Sequence, residues 1–286
     1  MKILITGHKG FVGKYFMMKY AEHDIVGVDL KEGNDCRDFF KTSDDKFDLV
    51  VHLAAIVGGR QTIDKDPLSV ATDLSIDSEM CNWALRTKPE RIVYFSSSAA
   101  YPTKLQVGKY QLVEDDIDLS NVSNPDMTYG WAKLTGEFLL QFLSAEGIKT
   151  HVFRPFSGYG TDQDLDYPFP SYIDRANRLM NPFDIWGDGN QVRDFIHIRD
   201  IVDAVDEAIN LDITVPVNLG SGVATSFNEL CNLVCSVREY SPEVNHILDA
   251  PVGVQYRVSN NSRMLSFYTP KISLEEGIRM ALRGDV

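Results

Sequence analysis

Residues 5–16, ITGHKGFVGKYF, carry three glycines at regular intervals of three residues. Gly7, Gly10 and Gly13 fall where a predicted first strand, residues 2–6, turns into a predicted helix. In a strand–turn–helix unit of this kind, one glycine makes a tight turn, one lets the backbone approach a pyrophosphate, and one lets helix and strand pack closely. The helix N-terminus also offers free N–H groups and a positive dipole end to phosphate. The stretch therefore predicts a dinucleotide-binding turn, with an ordinary glycine turn as the alternative.

An acidic residue completes the pattern. Asp29 ends the next predicted strand, residues 25–29. A carboxylate at that place accepts hydrogen bonds from the adenosine ribose hydroxyls and repels a 2′-phosphate. The glycines and Asp29 together predict a nicotinamide dinucleotide site that prefers NAD to NADP.

At 286 residues and 44% hydrophobic composition, the chain is long enough for one large domain or two smaller ones. Its net charge of −13 argues against a nucleic-acid partner, because phosphate backbones bind basic surfaces. No apolar run reaches the roughly 18 residues of a membrane span, and the start MKILITG lacks a signal-peptide pattern. These features predict a cytoplasmic protein with no membrane partner. No metal site is predicted, because the cysteines lack the paired spacing of metal ligands; they are Cys36, Cys81, Cys231 and Cys235.

Short apolar runs alternate with helical patterns, as in βαβ units with a parallel sheet. Strands are predicted over residues 2–6, 25–29, 48–54, 91–96 and 150–154, and helices over residues 11–22, 73–86, 128–146, 227–237 and 274–282. Residues 158–192, rich in Pro, Gly, Asp and aromatic residues, are expected to be irregular. The predicted fold class is α/β, with a Rossmann-type doubly wound parallel sheet over residues 1–155, to which the chain returns around residues 195–218. Residues 156–286 are expected to form a smaller α+β substrate-binding lobe.

Two short stretches predict the chemistry: YFSSSAAYP, residues 94–102, and YGWAK, residues 129–133. Tyr129 and Lys133 are four residues apart on a predicted helix and so share a face. The ammonium group and a positively charged nicotinamide ring are expected to lower the pKa of the tyrosine from about 10 toward useful values for a base. Ser97, at the end of a predicted strand, is placed to hydrogen-bond the substrate hydroxyl that loses its proton. A solvated Tyr–Lys pair on a helix surface is the alternative.

Two polar residues in FIHIRD, residues 195–200, receive structural interpretations. Asp200 precedes the amphipathic stretch IVDAVDEAI and is predicted to be a helix N-cap. His197 is predicted to be packed and hydrogen-bonded rather than catalytic.

Over essentially its whole length the sequence resembles the extended short-chain dehydrogenase/reductases, and within them the NAD-dependent nucleotide-sugar epimerase/dehydratase family. The resemblance is carried by TGHKGFVG (6–13), HLAA (52–55), SSAAYP (97–102), YGWAK (129–133), FRPFSGYG (153–160), WGDGNQVRDFIHIRD (186–200) and NLGSG (218–222). LAAIVGGRQ (53–61) and SSAAYP are most similar to the branch that contains GDP-fucose synthase and GDP-mannose 3,5-epimerase. The resemblance implies NAD as cofactor, a nucleotide-diphosphate sugar as substrate, and a homodimer joined through the helices near residues 73–86 and 128–146.

The same resemblance implies roles for individual residues. Cofactor contacts are implied for Gly7, Gly10, Phe11, Val12, Gly13, Asp29, Asp35, Cys36, Leu53, Ala54, Ala55, Tyr129 and Lys133. Within that set Asp35 and Cys36 would flank the adenine, and residues 53–55 would run under the nicotinamide. Substrate contacts are implied for Ser97, Ser98, Ser157, Arg193 and Arg257. Both arginines would grip the nucleotide diphosphate, which bidentate pairing makes reasonable in an acidic protein; a surface salt bridge is the alternative for each.

Departures from the family pattern limit the reactions that are expected of this chain. Family members that dehydrate or decarboxylate carry an acidic residue soon after the catalytic Ser or Thr, where this chain has Ser98, Ala99 and Ala100. The 3,5-epimerising branch has a cysteine acid/base at the position of Ala99, and its second acid/base has no counterpart unless Tyr167 serves. Ser157 stands where the family usually has an asparagine beside the substrate.

Three functions are left. A carbon-4 epimerase needs NAD, Ser97, Tyr129 and Lys133, all of which are expected here, and it is the function that we predict. The second is a reductase of 4-keto-6-deoxy nucleotide sugars, similar to GDP-fucose synthase; it usually consumes NADPH, which Asp29 disfavours. The third is a non-enzymatic dinucleotide-binding regulator, which would be marked by loss of Tyr129 or Lys133.

Overall fold

The computed structural model describes residues 1–58, 63 and 65–285, and strands alternate with helices along most of the chain. The strands are β1 (Lys2–Thr6), β2 (Asp24–Val28), β3 (Leu49–His52), β4 (Arg91–Phe95), β5 (Gln111–Leu112), β6 (Lys149–Pro155), β7 (Ser157–Tyr159), β8 (Phe183–Trp186), β9 (Val192–His197), β10 (Val217–Leu219), β11 (Ala224–Ser226), β12 (Val244–Ile247) and β13 (Tyr256–Ser259). The helices are α1 (Phe11–Lys19), α2 (Cys36–Thr42), α3 (Val70–Thr87), α4 (Met127–Ala145), α5 (Pro168–Asn177), α6 (Ile198–Asn210), α7 (Phe227–Arg238), α8 (Ser262–Leu265) and α9 (Leu274–Arg283). Within these described ranges, no helix has the length and apolar character needed to cross a membrane.

Six parallel strands form the central sheet in the order β10-β6-β4-β3-β1-β2. The chain leaves β1 toward β2 and then crosses to β3 on the other side of β1. In a doubly wound sheet this reversal opens a crevice at the carboxyl ends of the strands, where ligands bind. The Rossmann-type fold predicted from the sequence is confirmed.

Helices cover both faces of the central sheet, each over its own apolar layer. On one face, α1 and α6 pack through residues such as Phe16 and Val205. On the other face, α2, α3 and α4 pack around the fully buried Trp83. The strands are therefore buried on both sides, which explains why they read as continuous apolar runs rather than alternating ones.

The later part of the chain builds smaller sheets around β9. One has the order β11-β9-β13-β5, with β7 also paired to β9, and a second joins β8 to β12. Helices α5, α7 and α9 pack against these strands in a third apolar cluster. Because β10 pairs with β6 in the central sheet, the chain crosses between the two regions more than once. The division into residues 1–155 and 156–286 stays a prediction.

Two predictions about local structure are wrong. Residues 158–192 are not irregular throughout, since they contain α5 and β8. Pro168 begins α5, where the missing N–H of a proline costs nothing, so the prolines that suggested a loop instead mark a helix start.

Asp200 is not the N-cap of α6. His197 has that position, and its Nδ1 accepts a hydrogen bond from the Arg199 N–H (3.2 Å). Asp200 lies in the first turn and accepts hydrogen bonds from the Tyr268 hydroxyl (2.7 Å) and the Lys271 N–H (2.8 Å). These donors are distant in sequence, so local pattern could not reveal them. His197 is buried and hydrogen-bonded as predicted, and burial lowers its pKa to about 4.

A fully buried ion pair fixes helix α4 to the central sheet. Arg154, near the end of β6, binds both carboxylate oxygens of Glu137 on α4, at 3.0 and 2.7 Å. The same guanidinium donates to the Tyr101 hydroxyl (3.1 Å) and the Glu114 carbonyl (2.7 Å). Ser96, which follows β4, also hydrogen-bonds Glu137. Both charges are about 98% shielded from solvent, so each depends on the other for compensation.

We expect Arg154→Met to lower the free energy of unfolding by about 3–5 kcal/mol, because it leaves the Glu137 carboxylate buried without a counter-charge. Arg178→Met is the matched control: Arg178 pairs with Asp174 on the surface of α5, and its loss should cost less than about 1 kcal/mol. Urea unfolding of the three proteins measures both values. Equal losses in the two variants would show that the buried pair has no special structural role.

Candidate active site

The glycine-rich turn after β1 has the shape that a dinucleotide needs. Gly7 has φ +71° and donates its N–H to the Val28 carbonyl (2.8 Å), which ties the turn to the end of β2. A side chain at Gly13 would collide with the Gly7 carbonyl oxygen, so the helix approaches the turn as closely as backbone allows. These two glycines make the tight turn and the close packing.

The N-terminus of α1 is open to an anion. Gly10 is its N-cap and supplies no capping side chain, and the first turn of the helix has no acidic residue. Phe11 and Val12, the first two residues of the helix, bring their backbone N–H groups to this end. An open helix terminus beside a turn that has glycine at residues 7 and 10 fits the pyrophosphate of NAD.

Asp29 lies directly after β2, next to this turn, and is largely buried. Its two carboxylate oxygens accept the backbone N–H groups of Lys9 and Lys31, each at 2.8 Å. Each oxygen keeps a further lone pair, so the carboxylate is held in place and still fits a ribose diol.

Two further groups of predicted cofactor residues lie at the ends of β-strands or helices that face the same crevice. Asp35 is the N-cap of α2, where it binds the Arg37 side chain, and the buried Cys36 begins that helix. Residues 53–55 follow β3, beside β1, and the Leu53 and Ala54 N–H groups donate to the Thr6 hydroxyl, both at 3.2 Å. Residues 59–61 of LAAIVGGRQ lie outside the described residues.

Tyr129, Lys133 and Ser97 come together at the start of α4. The Lys133 ammonium lies 5.7 Å from the centre of the Tyr129 ring, and the Ser97 side chain is close enough to the Tyr129 hydroxyl to lower its pKa. Burial, followed by the charges of Asp73 and Asp77, raises the pKa of Tyr129 well above its usual range, and the Ser97 hydrogen bond only partly opposes this. The pKa shift is opposite to the expectation from the sequence, because neither the burial of Tyr129 nor the two nearby carboxylates was foreseen.

Sequence reasoning missed a buried polar chain behind the catalytic pair. The Asp77 carboxylate on α3 accepts the Tyr94 hydroxyl (2.6 Å) and faces His52 Nε2 (3.2 Å). His52 Nδ1 lies 2.9 Å from the Thr6 hydroxyl. Since that hydroxyl oxygen already accepts two backbone N–H groups, its own proton goes to Nδ1, and Nε2–H then donates to Asp77. The His52 ring is therefore uncharged.

Asp73 lies one helical turn before Asp77 and is 3% exposed. It accepts the Ile56 N–H at 2.5 Å, which anchors the loop after β3. Burial raises the pKa of Asp73 to about 6, against the opposing effects of that hydrogen bond and of the Lys133 charge. The signal in the sequence was a pair of acids four residues apart on a helix face that is otherwise mostly apolar.

Arg193 and Arg257 are register partners in the parallel strands β9 and β13, so they lie side by side. Arg193 donates to the backbone carbonyls of Val192 (2.8 Å) and Val254 (2.9 Å). Arg257 binds Asp126, the N-cap of α4, at 2.5 Å. The second arginine therefore connects the strands of the smaller sheet to the helix that carries Tyr129.

Three other residues named from the sequence lie near this region. Ser98 and Ala99 are buried in the 3-10 turn after Ser97, so no titratable group occupies the position of Ala99. Ser157 begins β7. Tyr167 is the N-cap residue of α5, and its pKa is raised by burial and by the nearby charge of Tyr129.

Comparison with known proteins relates the chain to one enzyme family. The model of the NAD dependent epimerase/dehydratase family matches residues 3–220. The chain is 27% identical to a GDP-mannose 3,5-epimerase of Arabidopsis thaliana, over 98% of this chain and 81% of that protein. It is also 27% identical to a GDP-L-fucose synthase of Sinorhizobium fredii, over 97% and 93% of the two chains. The UDP-glucose 4-epimerase of Thermotoga maritima, solved with UDP-glucose, has the same fold, with a TM-score of 0.86 and 22% identity over 99% and 98% of the two chains.

We expect Asp73→Asn to stabilise the protein at pH 8 by about 3 kcal/mol, because Asn keeps the acceptor for Ile56 and removes a buried charge. The folded pKa of Asp73, about 6, lies above the ordinary value of 3.8, so ionisation penalises the folded state increasingly as the pH rises from about 4 to 6. The gain in stability should therefore be full at pH 8 and smaller at pH 5.

Urea unfolding at the two pH values measures this gain. Asp249→Asn, at an exposed position, is the control and should have little effect at either pH. A pH-independent effect of Asp73→Asn would contradict the buried-charge explanation.

Proposed function

The chain belongs to the NAD-dependent epimerase/dehydratase family, and from this we propose that it is a nucleotide-sugar epimerase that inverts carbon 4 through a transient 4-keto sugar. The observation that carries the proposal is the catalytic set itself. Tyr129 lies beside Ser97 and Lys133, while the buried methyl group of Ala99 stands where the 3,5-epimerising branch has a second acid/base. Carbon-4 inversion needs a single proton-transfer group, whereas chemistry at carbons 3 and 5 needs more.

In this proposal the residues of the protein bind the cofactor, orient the sugar and transfer one proton. The turn at Gly7–Gly13 and Asp29 would hold NAD, which when bound accepts a hydride from the sugar and returns it. Ser97 would orient the carbon-4 hydroxyl, and Tyr129 would remove its proton and later give it back. Lys133 would offset the negative charge that develops on the phenolic oxygen, which its raised pKa would otherwise oppose.

The two adjacent arginines support a nucleotide-diphosphate sugar as the substrate. Arg193 and Arg257 stand at paired positions of strands β9 and β13, so two arginines arise from neighbouring points of the smaller sheet. Paired guanidiniums match the geometry and charge of a diphosphate. Because the protein is acidic overall, such local cations are needed to attract this substrate.

A 4-keto nucleotide-sugar reductase is the second candidate, and the cations beside Asp29 favour it. Lys9 and Lys31 both donate their backbone N–H groups to that carboxylate, and the Lys31 ammonium donates to the Lys9 carbonyl (3.4 Å), so it stays close to this turn. Basic groups there accommodate the 2′-phosphate of NADP. Against this, the Lys9 ammonium is bound to Glu32 at 2.8 Å. The relative that is a GDP-L-fucose synthase adds support to the reductase.

We also propose a homodimer formed through α3 and α4. The two helices pack together, and their outer surface carries Leu85, Trp131, Phe138 and Phe142, all exposed in the single chain. Large apolar side chains grouped on one face favour burial against a second copy.

A cytoplasmic location stays a prediction. The third possible function, a non-enzymatic regulator, also stays a prediction, and the retention of Tyr129 and Lys133 disfavours it.

Tyr129→Phe should fold normally and bind cofactor, yet lose on the order of 10²-fold or more in turnover, because it removes the proton-transfer group. Tyr110→Phe, at an exposed position where the hydroxyl binds Asp116, is the control and should keep full activity. Turnover with a nucleotide hexose and cofactor titration measure the two effects separately. An undiminished rate in Tyr129→Phe would remove this residue from the mechanism.

Cofactor retention separates the two candidate functions, because an epimerase regenerates NAD in each cycle whereas a reductase must exchange its cofactor. We expect denaturation of the purified protein to release nearly stoichiometric NAD(H), identified by mass and absorbance. Incubation with UDP- and GDP-hexoses should give carbon-4 epimers by NMR without added cofactor. A protein that arrives empty and oxidises added NAD(P)H only with a 4-keto sugar would be the reductase.

A further inference from the structure

Glu32 is a second carboxylate beside the glycine-rich turn, and the mechanism proposed above does not use it. It ends the short 3-10 turn Leu30–Glu32, which follows Asp29 directly. Its backbone N–H donates to the Asp29 carbonyl at 3.0 Å, which keeps the two acidic residues together. Since the proposed function places the adenosine ribose at Asp29, Glu32 lies next to that ribose position.

Two basic side chains of the glycine-rich turn hold the Glu32 carboxylate. The Lys9 ammonium lies 2.8 Å from one carboxylate oxygen, and His8 Nε2 lies 3.2 Å from the other. The backbone N–H of Lys9 donates to the Asp29 carboxylate, also at 2.8 Å. Lys9 therefore connects the two acidic residues, one through its backbone and the other through its side chain.

The His8 ring is packed in a fixed position against strand β2. Its side chain is only 6% exposed, and a Cβ atom added at Gly27 would come within 2.8 Å of the ring. Among the described residues, none is hydrogen-bonded to His8 Nδ1, so the ring proton belongs on Nε2, from which it is donated to Glu32. The absence of a side chain at Gly27 thus gives the ring the room from which it holds Glu32.

A role in stability does not account for the pairing of Lys9 with Glu32. The two side chains are 47% and 42% exposed, and ion pairs with this much exposure contribute little to the free energy of folding. The pair does change the charge near the ribose position. An ammonium group that would attract a phosphate is bound by a carboxylate that would repel one.

We propose that Glu32 is a second determinant of cofactor choice, which acts with Asp29 to exclude NADP by binding the Lys9 ammonium. The inference rests on the proposed function, which puts the ribose of the dinucleotide at Asp29. A basic group beside that ribose accommodates a 2′-phosphate. The turn has two such groups, because the Lys31 ammonium also stays close to it, 3.4 Å from the Lys9 carbonyl. Glu32 neutralises one of them and adds its own negative charge, so the site discriminates by repulsion as well as by hydrogen bonds to the ribose.

The test compares the affinities of NAD⁺ and NADP⁺. The protein is stripped of nucleotide, and both Kd values are measured by calorimetry for the wild type and Glu32→Gln, at low ionic strength because salt screens exposed charges. Glu146→Gln is the matched control, since Glu146 forms a similarly short and exposed pair with Lys88 (2.9 Å) at the end of α4 opposite Tyr129. A double variant, Glu32→Gln with Lys9→Gln, also removes the ammonium that Glu32 binds. Circular dichroism confirms that each variant is folded.

We expect the wild type to prefer NAD⁺, and Glu32→Gln to lower the ratio Kd(NADP⁺)/Kd(NAD⁺) by about five- to tenfold, mainly through tighter binding of NADP⁺. Glu146→Gln should leave this ratio unchanged. The double variant should lose most of the gain, because it has no ammonium at residue 9 to meet the 2′-phosphate.

A ratio that is unchanged in folded Glu32→Gln, or altered as much by Glu146→Gln, would overturn the inference while leaving the proposed function intact. A gain that persists in full in the double variant would overturn it in the same way. A wild type that prefers NADP⁺ would overturn the inference and favour the reductase. A wild type that binds neither dinucleotide would overturn the proposed function, and the inference with it.

Discussion

The buried pairing of Arg154 with Glu137 is the constraint on which the catalytic geometry depends. It joins the end of β6 to helix α4, and through Ser96 it includes the residue that follows β4. Tyr129, Lys133 and Ser97 are all carried by these elements. An ion pair shielded from water tolerates little displacement, since each charge depends on the geometry of the other. The catalytic helix is thus fixed against the sheet at one point, close to its reactive end.

Helix α4 therefore contributes to two different clusters of charged groups, one around Glu137 and one around Lys133. Around Glu137 every charge has a bidentate or hydrogen-bonded partner, and the arrangement holds the fold together. One helical turn earlier, Lys133 lies near the two carboxylates of α3, where burial raises the pKa of Asp73 while His52 and Lys133 lower that of Asp77 against the effect of burial. Charged groups that are fully paired stabilise a structure, whereas charged groups whose pKa values are strongly shifted are typical of sites that bind or react.

The fold and the placement of Tyr129 beside Lys133 could be predicted because both depend on local sequence. The glycine spacing at Gly7–Gly13 dictates a turn, and the four-residue interval of Tyr129 and Lys133 dictates a shared helix face. The partners of Asp200 and the environment of Tyr129 could not be predicted in the same way. They depend on residues brought from distant strands and helices, such as Tyr268 and Asp77, and no local period records that juxtaposition.

Strand β10 has a consequence for the order in which the protein is made. It pairs with β6, yet some sixty residues, including α6 and several elements of the smaller region, are synthesised between the two strands. Until Val217–Leu219 emerges from the ribosome, the nascent sheet presents β6 as an open edge with unsatisfied backbone groups, which invites pairing with other chains. Asn218, in the middle of β10, then closes that edge by bonding Glu114 and Tyr101. A fragment that ends at residue 155 would retain the glycine-rich turn but would lack the last strand of the sheet. The cofactor-binding region therefore depends for its solubility on a strand that comes much later in the chain.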